Sequence, residues 1–410
     1  MTLIQELRWR GMIQDIMPGT EELFEKEQVS GYIGFDPTSD SLHIGSLVPI
    51  LLLVHLQKAG HKPFALVGGA TGMVGDPSGK SEERNLLSEE TLAHNIAGVK
   101  KQLSHFLNFD STQANAAEMV NNYDWFKDFN FLSFIREVGK HITVNYMMAK
   151  DSVKKRIEGD TGMSFTEFTY QLIQGYDFYW LYKNKNCKVQ MGGSDQWGNI
   201  VSGIDLIHKA SGKEVFGITT PLLTTSSGSK MGKSLSGAVW LNEDNLSPYD
   251  YFQYWRNVED PDVVRFAKLY TEWDNAQISE LEKLAGSNIN EAKKQLAHRV
   301  TELCHGKEAA DSALETAKLI FEQGGAGGDL PVFYIDKEVL SKGIPCFELF
   351  HLAGISDSKS EARKLIRGAG AKVNDEKIED ENLVIDLSFI KDGSIKLSSG
   401  KKKHILVSLL

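Results

Sequence analysis

Tyr170, Gln174 and Asp177 fall at i, i+4 and i+7 of a segment otherwise rich in Phe, Leu, Ile and Trp. On a helix they form one polar stripe, and Gly175 beside them permits close approach of a second body. Such a stripe either faces water or lines a pocket for a small polar, aromatic ligand; these residues alone leave both readings open. Downstream, Gln190-Met-Gly192-Gly193-Ser-Asp195-Gln196-Trp-Gly198-Asn199 follows the apolar run from Cys187 to Met191. It would stand at the C-terminal end of a strand, where open parallel sheets bind ligands. Paired glycines let backbone approach a ribose or base, and Asp195 can accept from hydroxyls. A turn made for geometry alone does not need Gln-x-Gly-Gly-x-Asp-Gln.

A second group of residues suits phosphate. Gly31 to Phe35 reads as a short buried strand ended by Asp36-Pro37, and His43-Ile44-Gly45 opens an apolar helix from Ser46 to Lys58. A helix N-terminus leaves backbone N–H groups unpaired and carries partial positive charge, and His43 would sit at that mouth. Lys230 and Lys233 lie in a Gly/Ser loop with no acidic residue between Gly217 and Asn242. They are either a solvated surface or a mobile clamp on a polyphosphate, whose charge stabilisation is on the order of 3 kcal/mol per well-placed group. Neither Gly75-Asp-Pro-Ser-Gly79-Lys80-Ser81 nor Gly228-Ser-Lys-Met-Gly232-Lys233-Ser234 is a P-loop. Each has one residue too few between its glycines to wrap a phosphate, and Pro77 removes a donor from the first.

The elements that must position these groups follow from the pattern along the chain. Pro63 to Val67 makes another buried strand after the His43 helix, so strand, helix and strand imply a parallel pair. Residues 1–29 read as two short helices broken at Pro18-Gly19, and residues 82–160 as mostly helical, with Asn121-Asn122-Tyr123-Asp124-Trp125 as a polar break. Ile218 to Leu223 is one more strand, and Pro248 to about Glu322 is helical. Gly324 to Gly328 is a hinge, and Pro345 to Leu410 is a small α+β module containing the helices Phe347–Ala353 and Ser358–Ile366.

At 410 residues, 41% hydrophobic and 24% charged, the chain has the composition of a soluble protein of two or three domains. A net charge of -10 argues against coating nucleic acid nonspecifically, because such binding rests on clustered Lys and Arg; a local RNA site remains compatible. Cys187, Cys304 and Cys346 form no CxxC pair, so neither a disulfide framework nor a zinc cluster is expected. The start MTLIQELRWRG lacks the apolar core of a signal peptide, and Leu47 to Leu56 is too short to span a bilayer. A cytoplasmic location and no membrane partner are expected.

Together these pieces resemble the bacterial-type tyrosyl-tRNA synthetases, which are class I aminoacyl-tRNA synthetases. His43-Ile-Gly-Ser46 resembles the class I HIGH motif and Lys230-Met-Gly-Lys233-Ser234 its KMSKS loop. Gly34-Phe-Asp-Pro-Thr38, Gly68-Gly-Ala-Thr-Gly72, Gly75-Asp-Pro-Ser-Gly79, Val144-Asn-Tyr-Met-Met148 and Gly192-Gly-Ser-Asp-Gln-Trp-Gly198 are similar to phrases of the tyrosine enzymes more narrowly. The resemblance implies an α/β fold: a Rossmann-type parallel-sheet catalytic domain over 1–225, with a helical dimerisation insertion at about 115–165. A loop and linker (226–245), an all-α anticodon-side domain (246–323), a linker (324–344) and a small α+β S4-like RNA-binding domain (345–410) would follow.

The same resemblance implies the substrates ATP with Mg²⁺, L-tyrosine and tRNA(Tyr), a homodimer, and no tightly bound protein metal. Tyr32 and Asp177 would bond the phenol; Asp76, Tyr170 and Gln174 the ammonium; Gln196 would face the carboxylate. Gly34, Asp36, Gly45, Gly193 and Asp195 would hold the adenylate, while Thr38, His43, Lys80, Arg84, Lys230 and Lys233 would surround the triphosphate. Arg363, Lys364 and Arg367 would face tRNA, and Lys401 to Lys403 could add phosphate contacts. Two departures stand out. HIGH ends in Ser46, a shorter donor that is never charged, so Ser46 or a water would substitute; KMSKS has become KMGKS, which removes a hydroxyl and would loosen the loop. A tryptophanyl-type enzyme would not need Asp177 facing Tyr32 or an S4-like tail. A non-catalytic RNA-binding relative should have lost the loop lysines, and a cofactor-making nucleotidyltransferase would lack the C-terminal module.

Overall fold

The computed structural model describes residues 1–78, 87–159, 162–228, 231–234, 237–322, 332–391, 393–400 and 403–409. These fall into two compact units, Met1–Leu246 with Val258–Ala292, and Ser247–Asn257 with Lys293–Leu410. The helices Asp262–Tyr270 and Asn275–Ser287 therefore group with the first unit, whereas the sequence pattern groups them with 246–323.

The first unit is built on a six-stranded sheet of β1 (Asp15–Ile16), β2 (Ser30–Phe35), β3 (Lys62–Val67), β4 (Glu118–Asn121), β5 (Cys187–Gly193) and β6 (Phe216–Thr220). Their spatial order is β1-β6-β5-β2-β3-β4. All neighbours are parallel except the antiparallel edge pair β1 and β6. The strand order reverses between β2 and β5, so their C-terminal ends flank the crevice where a Rossmann-type sheet takes its ligand. Tyr32, Phe64, Leu66, Phe178, Ile200 and Ile207 form a core cluster between sheet and helices.

The apolar helix after β2 runs Ile44–Lys58, with His43 as its cap. Its Leu47, Val48, Ile50, Leu51, Leu52 and Leu53 are fully buried, each stabilising the fold by about 1.5–3 kcal/mol. That sum outweighs the roughly 3 kcal/mol that an interior proline costs a helix, which is why Pro49 is tolerated.

The reading of 82–160 as helical needs correction. Helices occupy Glu89–Phe106, Tyr123–Phe126, Phe131–Glu137, Val144–Met148 and Asp151–Ile157, but β4 forms an edge of the main sheet by pairing Phe64–Val67 with Glu118–Asn121. Met119 and Val120 are half-buried and show no alternation that local pattern could catch. The region expected as an insertion thus begins with a strand of the sheet itself.

In the second unit, helix Pro248–Arg256 lies along Lys307–Glu322. A five-stranded sheet runs in the order Glu376–Lys377, Ala371–Val373, Ser394–Ser399, Lys403–Leu409, Val332–Ile335. Helices Cys346–Leu352 and Lys359–Arg367 share a core with it through Leu349, Phe350, Ala362 and Ile366. The segment 324–344, expected as a linker, contains the last of those strands, which pairs parallel to Leu406–Leu409, and a helix, Lys337–Lys342. Its partner lies over seventy positions away, so no local signal announces it. Gly324 to Gly328, Lys401 and Lys402 lie outside the described residues. Among the described residues no helix is long and apolar enough to cross a membrane.

Candidate active site

A cavity of about 450 Å³ opens at the C-terminal ends of β2 and β5. Its lining brings together Tyr32, Gly34, Asp36, Thr38, His43 and Gly45 from the β2 side. Asp76, Tyr170, Gln174, Asp177, Gly193, Asp195 and Gln196 complete it, with Ser46 at the mouth. The polar stripe of Tyr170, Gln174 and Asp177 therefore lines this cavity. Lys80, Arg84 and Lys230 lie outside the described residues; Lys233 is described only as backbone, in a two-residue strand.

At the closed end, Asp177 is 1% exposed. Its Oδ1 accepts the indole N–H of Trp125 at 2.9 Å and its Oδ2 the side-chain N–H of Asn122 at 3.1 Å. Asn122 is itself fixed, donating to Thr71 Oγ1 (3.0 Å) and accepting from Ala70 N–H (2.6 Å), while Trp125 stacks on Trp180 at 4.3 Å. Burial holds the Asp177 carboxyl well above its usual range, a rise that the bonds from Asn122 and Trp125 offset only in part. Tyr32 stands opposite, its ring 5.5 Å from Phe178, its hydroxyl buried with no protein partner. Burial, and then the charge of Asp177, raise that phenol well above its usual value. A buried polar group without a partner is rare enough to need a reason, and a ligand bringing its own partner would supply one.

Toward the mouth the side chains form two acceptor-rich groups. Tyr170 donates its hydroxyl to Asp36 at 2.8 Å and Thr71 donates to the other Asp36 oxygen at 2.7 Å. Gln196 donates to Asp76 (2.7 Å) and Asp195 (3.0 Å), and accepts from Gln174 (3.3 Å). Buried amide oxygens of Gln174 and Gln190 have no protein partner. Asp36, Asp76, Asp195 and the orphaned oxygen of Gln174, all from residues lining this cavity, call for a donor-rich, cationic group. Tyr170, expected beside the ammonium, is thus coupled to Asp36, expected beside the nucleotide.

At the mouth, His43 caps its helix by accepting Gly45 N–H on Nδ1 at 3.0 Å, which places the proton of a neutral ring on Nε2. A Cβ on Gly45 would meet the His43 ring at 2.7 Å, so the glycine of the motif is demanded by this cap. His43 also lies 6.4 Å from Trp240, ring to ring.

Asn122, Trp125 and Thr71 carry no signal of this role in their residue types. Asn122 and Trp125 sit in the stretch read as a polar break, and recognising β4 before it would have placed them at a strand's C-terminal end. In the second unit, Arg363 lies over the Phe347 ring at 3.9 Å and Arg367 forms two 2.8 Å bonds to Glu381; Lys364 is exposed on the same helix.

Residues 25–322 match the family model described as tRNA synthetases class I (W and Y). The chain is 57% identical over 384 residues to a tyrosine–tRNA ligase of Rickettsia conorii, covering 93% of each. It is 54% identical over 412 residues to one of Rickettsia bellii, covering 100% of each. Among solved structures, a C-terminally truncated mitochondrial tyrosyl-tRNA synthetase of Aspergillus nidulans superposes with a TM-score of 0.70 at 31% identity, over 78% of this chain and 94% of that one. With the pocket, both signature motifs and this likeness over nearly its whole length, the chain belongs to the class I tRNA synthetases of the tryptophan and tyrosine group, on the bacterial tyrosyl branch.

Proposed function

We propose that this chain joins L-tyrosine to ATP, releasing pyrophosphate, and passes the tyrosyl group from the adenylate to the 3' end of tRNA(Tyr). The observation that carries the reading is the closed end of the pocket: Asp177 held by Asn122 and Trp125, facing the unpartnered hydroxyl of Tyr32. A phenol entering there donates to the carboxylate and accepts from Tyr32. Phenylalanine would leave both groups unsatisfied, and indole would present the wrong pattern.

The ammonium sits among Asp76, Tyr170 and Gln174, and the carboxylate is turned by Gln196 toward the α-phosphate. Gly34, Gly193 and Asp195 take the ribose, while Asp36 serves both ends through its bond from Tyr170. Little covalent help is needed for carboxylate attack on phosphorus; positioning and cancelling charge on departing pyrophosphate are the main tasks. Thr38, the Nε2–H of His43, the helix mouth with Gly45, and Lys233 do this, with Mg²⁺ arriving on the ATP. Lys80, Arg84 and Lys230 are assigned to the triphosphate on motif position alone.

Two copies pair through the helical region. Phe131 (62% exposed), Leu132 (69%), Val144 (59%) and Phe165 (69%) are large apolar side chains left open on it, which a second copy would cover. Sedimentation of a Phe131→Asp/Leu132→Asp variant should show a monomer if these residues form the contact. The C-terminal unit, S4-like, presents Arg363, Lys364 and Arg367 to tRNA.

Pyrophosphate exchange with each amino acid in turn tests the activity. Exchange with tyrosine alone is expected; exchange with tryptophan and not tyrosine would overturn the reading.

A further inference from the structure

The strand that bears Lys233 is tied by backbone to the mouth of the His43 helix. The carbonyl of Gly232 accepts the N–H of Val239 at 3.1 Å, and the carbonyl of Val239 accepts the N–H of Ile44, first residue of that helix, at 2.9 Å. Leu241 N–H donates to the Leu42 carbonyl at 2.9 Å, and His43 is the bridge partner of Trp240 between them. Before the glycine, Met231 N–H donates to the Leu223 carbonyl at 3.0 Å. Lys233 and Ser234 (β7) then pair with Gly237 and Ala238 (β8).

Gly232 is buried and has φ +107°, a backbone that L residues rarely adopt. A Cβ built on it would stand 3.8 Å from Nδ1 of His43 and 3.9 Å from the Gly45 nitrogen, ordinary contact distances. Space for a methyl exists; the conformation is what excludes it. The expectation that glycine in KMGKS loosens the loop is thereby reversed, because serine would be strained at this position.

We infer that Gly232 is a positioning residue: its left-handed backbone directs the chain into Lys233 and keeps that strand bonded, through Val239, to the helix mouth at His43. The role rests on the reading above, in which Lys233 acts on the phosphates. An L side chain here relieves its strain by breaking the Gly232–Val239–Ile44 ladder, so the lysine-bearing strand leaves the mouth while the tyrosine end of the cavity is untouched. Serine, which restores the commoner spelling of the motif, should therefore lower activity rather than raise it.

The test uses the full chain, with Gly232→Ala and Gly232→Ser alone and Gly232→Ala combined with Lys233→Ala. Tyrosine-dependent pyrophosphate exchange should fall about 10- to 100-fold in kcat for either single variant, with equilibrium tyrosine binding within about twofold of wild type. In the Lys233→Ala background, Gly232→Ala should change kcat by less than about threefold, since a residue acting through the lysine has nothing left to act on. Wild-type kcat in Gly232→Ala, an undiminished loss in the Lys233→Ala background, or a matching loss of tyrosine binding would each overturn this role alone. A wild-type chain without tyrosine-dependent exchange would overturn the function and this role with it.

Discussion

Trp125 donates its indole N–H to Asp177 at 2.9 Å, across the boundary between a four-residue helix beyond the sheet edge and the long aromatic helix Phe165–Lys185. With Asn122 on the other oxygen, the carboxylate cannot turn away from Tyr32. Trp125→Phe removes the donor and keeps an aromatic ring against Trp180. A hydrogen bond to a charged group is worth about 1.5–3 kcal/mol, so kcat/KM for tyrosine should fall roughly 10- to 100-fold, with weaker preference over phenylalanine. Exchange assays with both amino acids measure it; an unchanged ratio would remove Trp125 from the recognition of the phenol.

Asp177→Ala should do more. It leaves the Asn122 and Trp125 donors buried without an acceptor as well as depriving the phenol of one, a loss of at least about 3 kcal/mol in kcat/KM. Unchanged kinetics with tyrosine would take Asp177 out of the pocket.

His55 gives a pH dependence of stability. It is buried 3.5 Å from Glu6, a neighbour that favours charge, yet burial, helped by Arg10 and Lys58, lowers its pKa from 6.5 to about 3. The unfolded chain therefore takes up a proton between those values while the folded chain does not, so stability is complete above about pH 6.5 and falls as pH drops toward 3. At about 1.4 kcal/mol per pH unit the loss by pH 5 is roughly 2 kcal/mol. Urea unfolding at about pH 7 and 5 should show that loss in wild type and a smaller one in His55→Gln.

Arg156 and Glu167 make a buried, two-bonded ion pair, with Nη1–Oε1 3.1 Å and Nη2–Oε2 2.8 Å; Arg156 Nε also donates to the Gly162 carbonyl at 3.1 Å. Breaking such a pair from one side strands a charge and costs about 3–5 kcal/mol, whereas apolar replacement of both partners is often neutral. Arg156→Met should be strongly destabilised in thermal melts, and Arg156→Met/Glu167→Leu should recover most of the loss. Equal destabilisation of both would contradict this.

Arg367 is held by Glu381 on an exposed surface. If the arginine meets a tRNA phosphate, Glu381 competes with it. Arg367→Ala should lower the slope of log affinity for tRNA against log salt by about one, and Glu381→Gln should tighten binding without changing the melting temperature. An identical salt slope in Arg367→Ala would exclude the contact.

What local chemistry encodes was readable directly. The apolar run after His43, the glycine at its second helical position and the i, i+4, i+7 stripe are short-range patterns; they sufficed for the His43 helix and for one polar face of the cavity, while Tyr32, Gly34, Asp36, Thr38 and Asp76 were expected there only from the family resemblance. What depends on partners distant in the chain was not. The strand β4 owes its existence to pairing with residues more than fifty positions earlier, so Asn122 and Trp125 looked like a break rather than the grip on Asp177. Val332–Ile335 likewise became a strand only through Leu406–Leu409. Gly232 makes the same point at one residue: its identity was legible as a missing hydroxyl, but its positive φ, and the bonds that tie its strand to Val239 and Ile44, are properties of the folded chain.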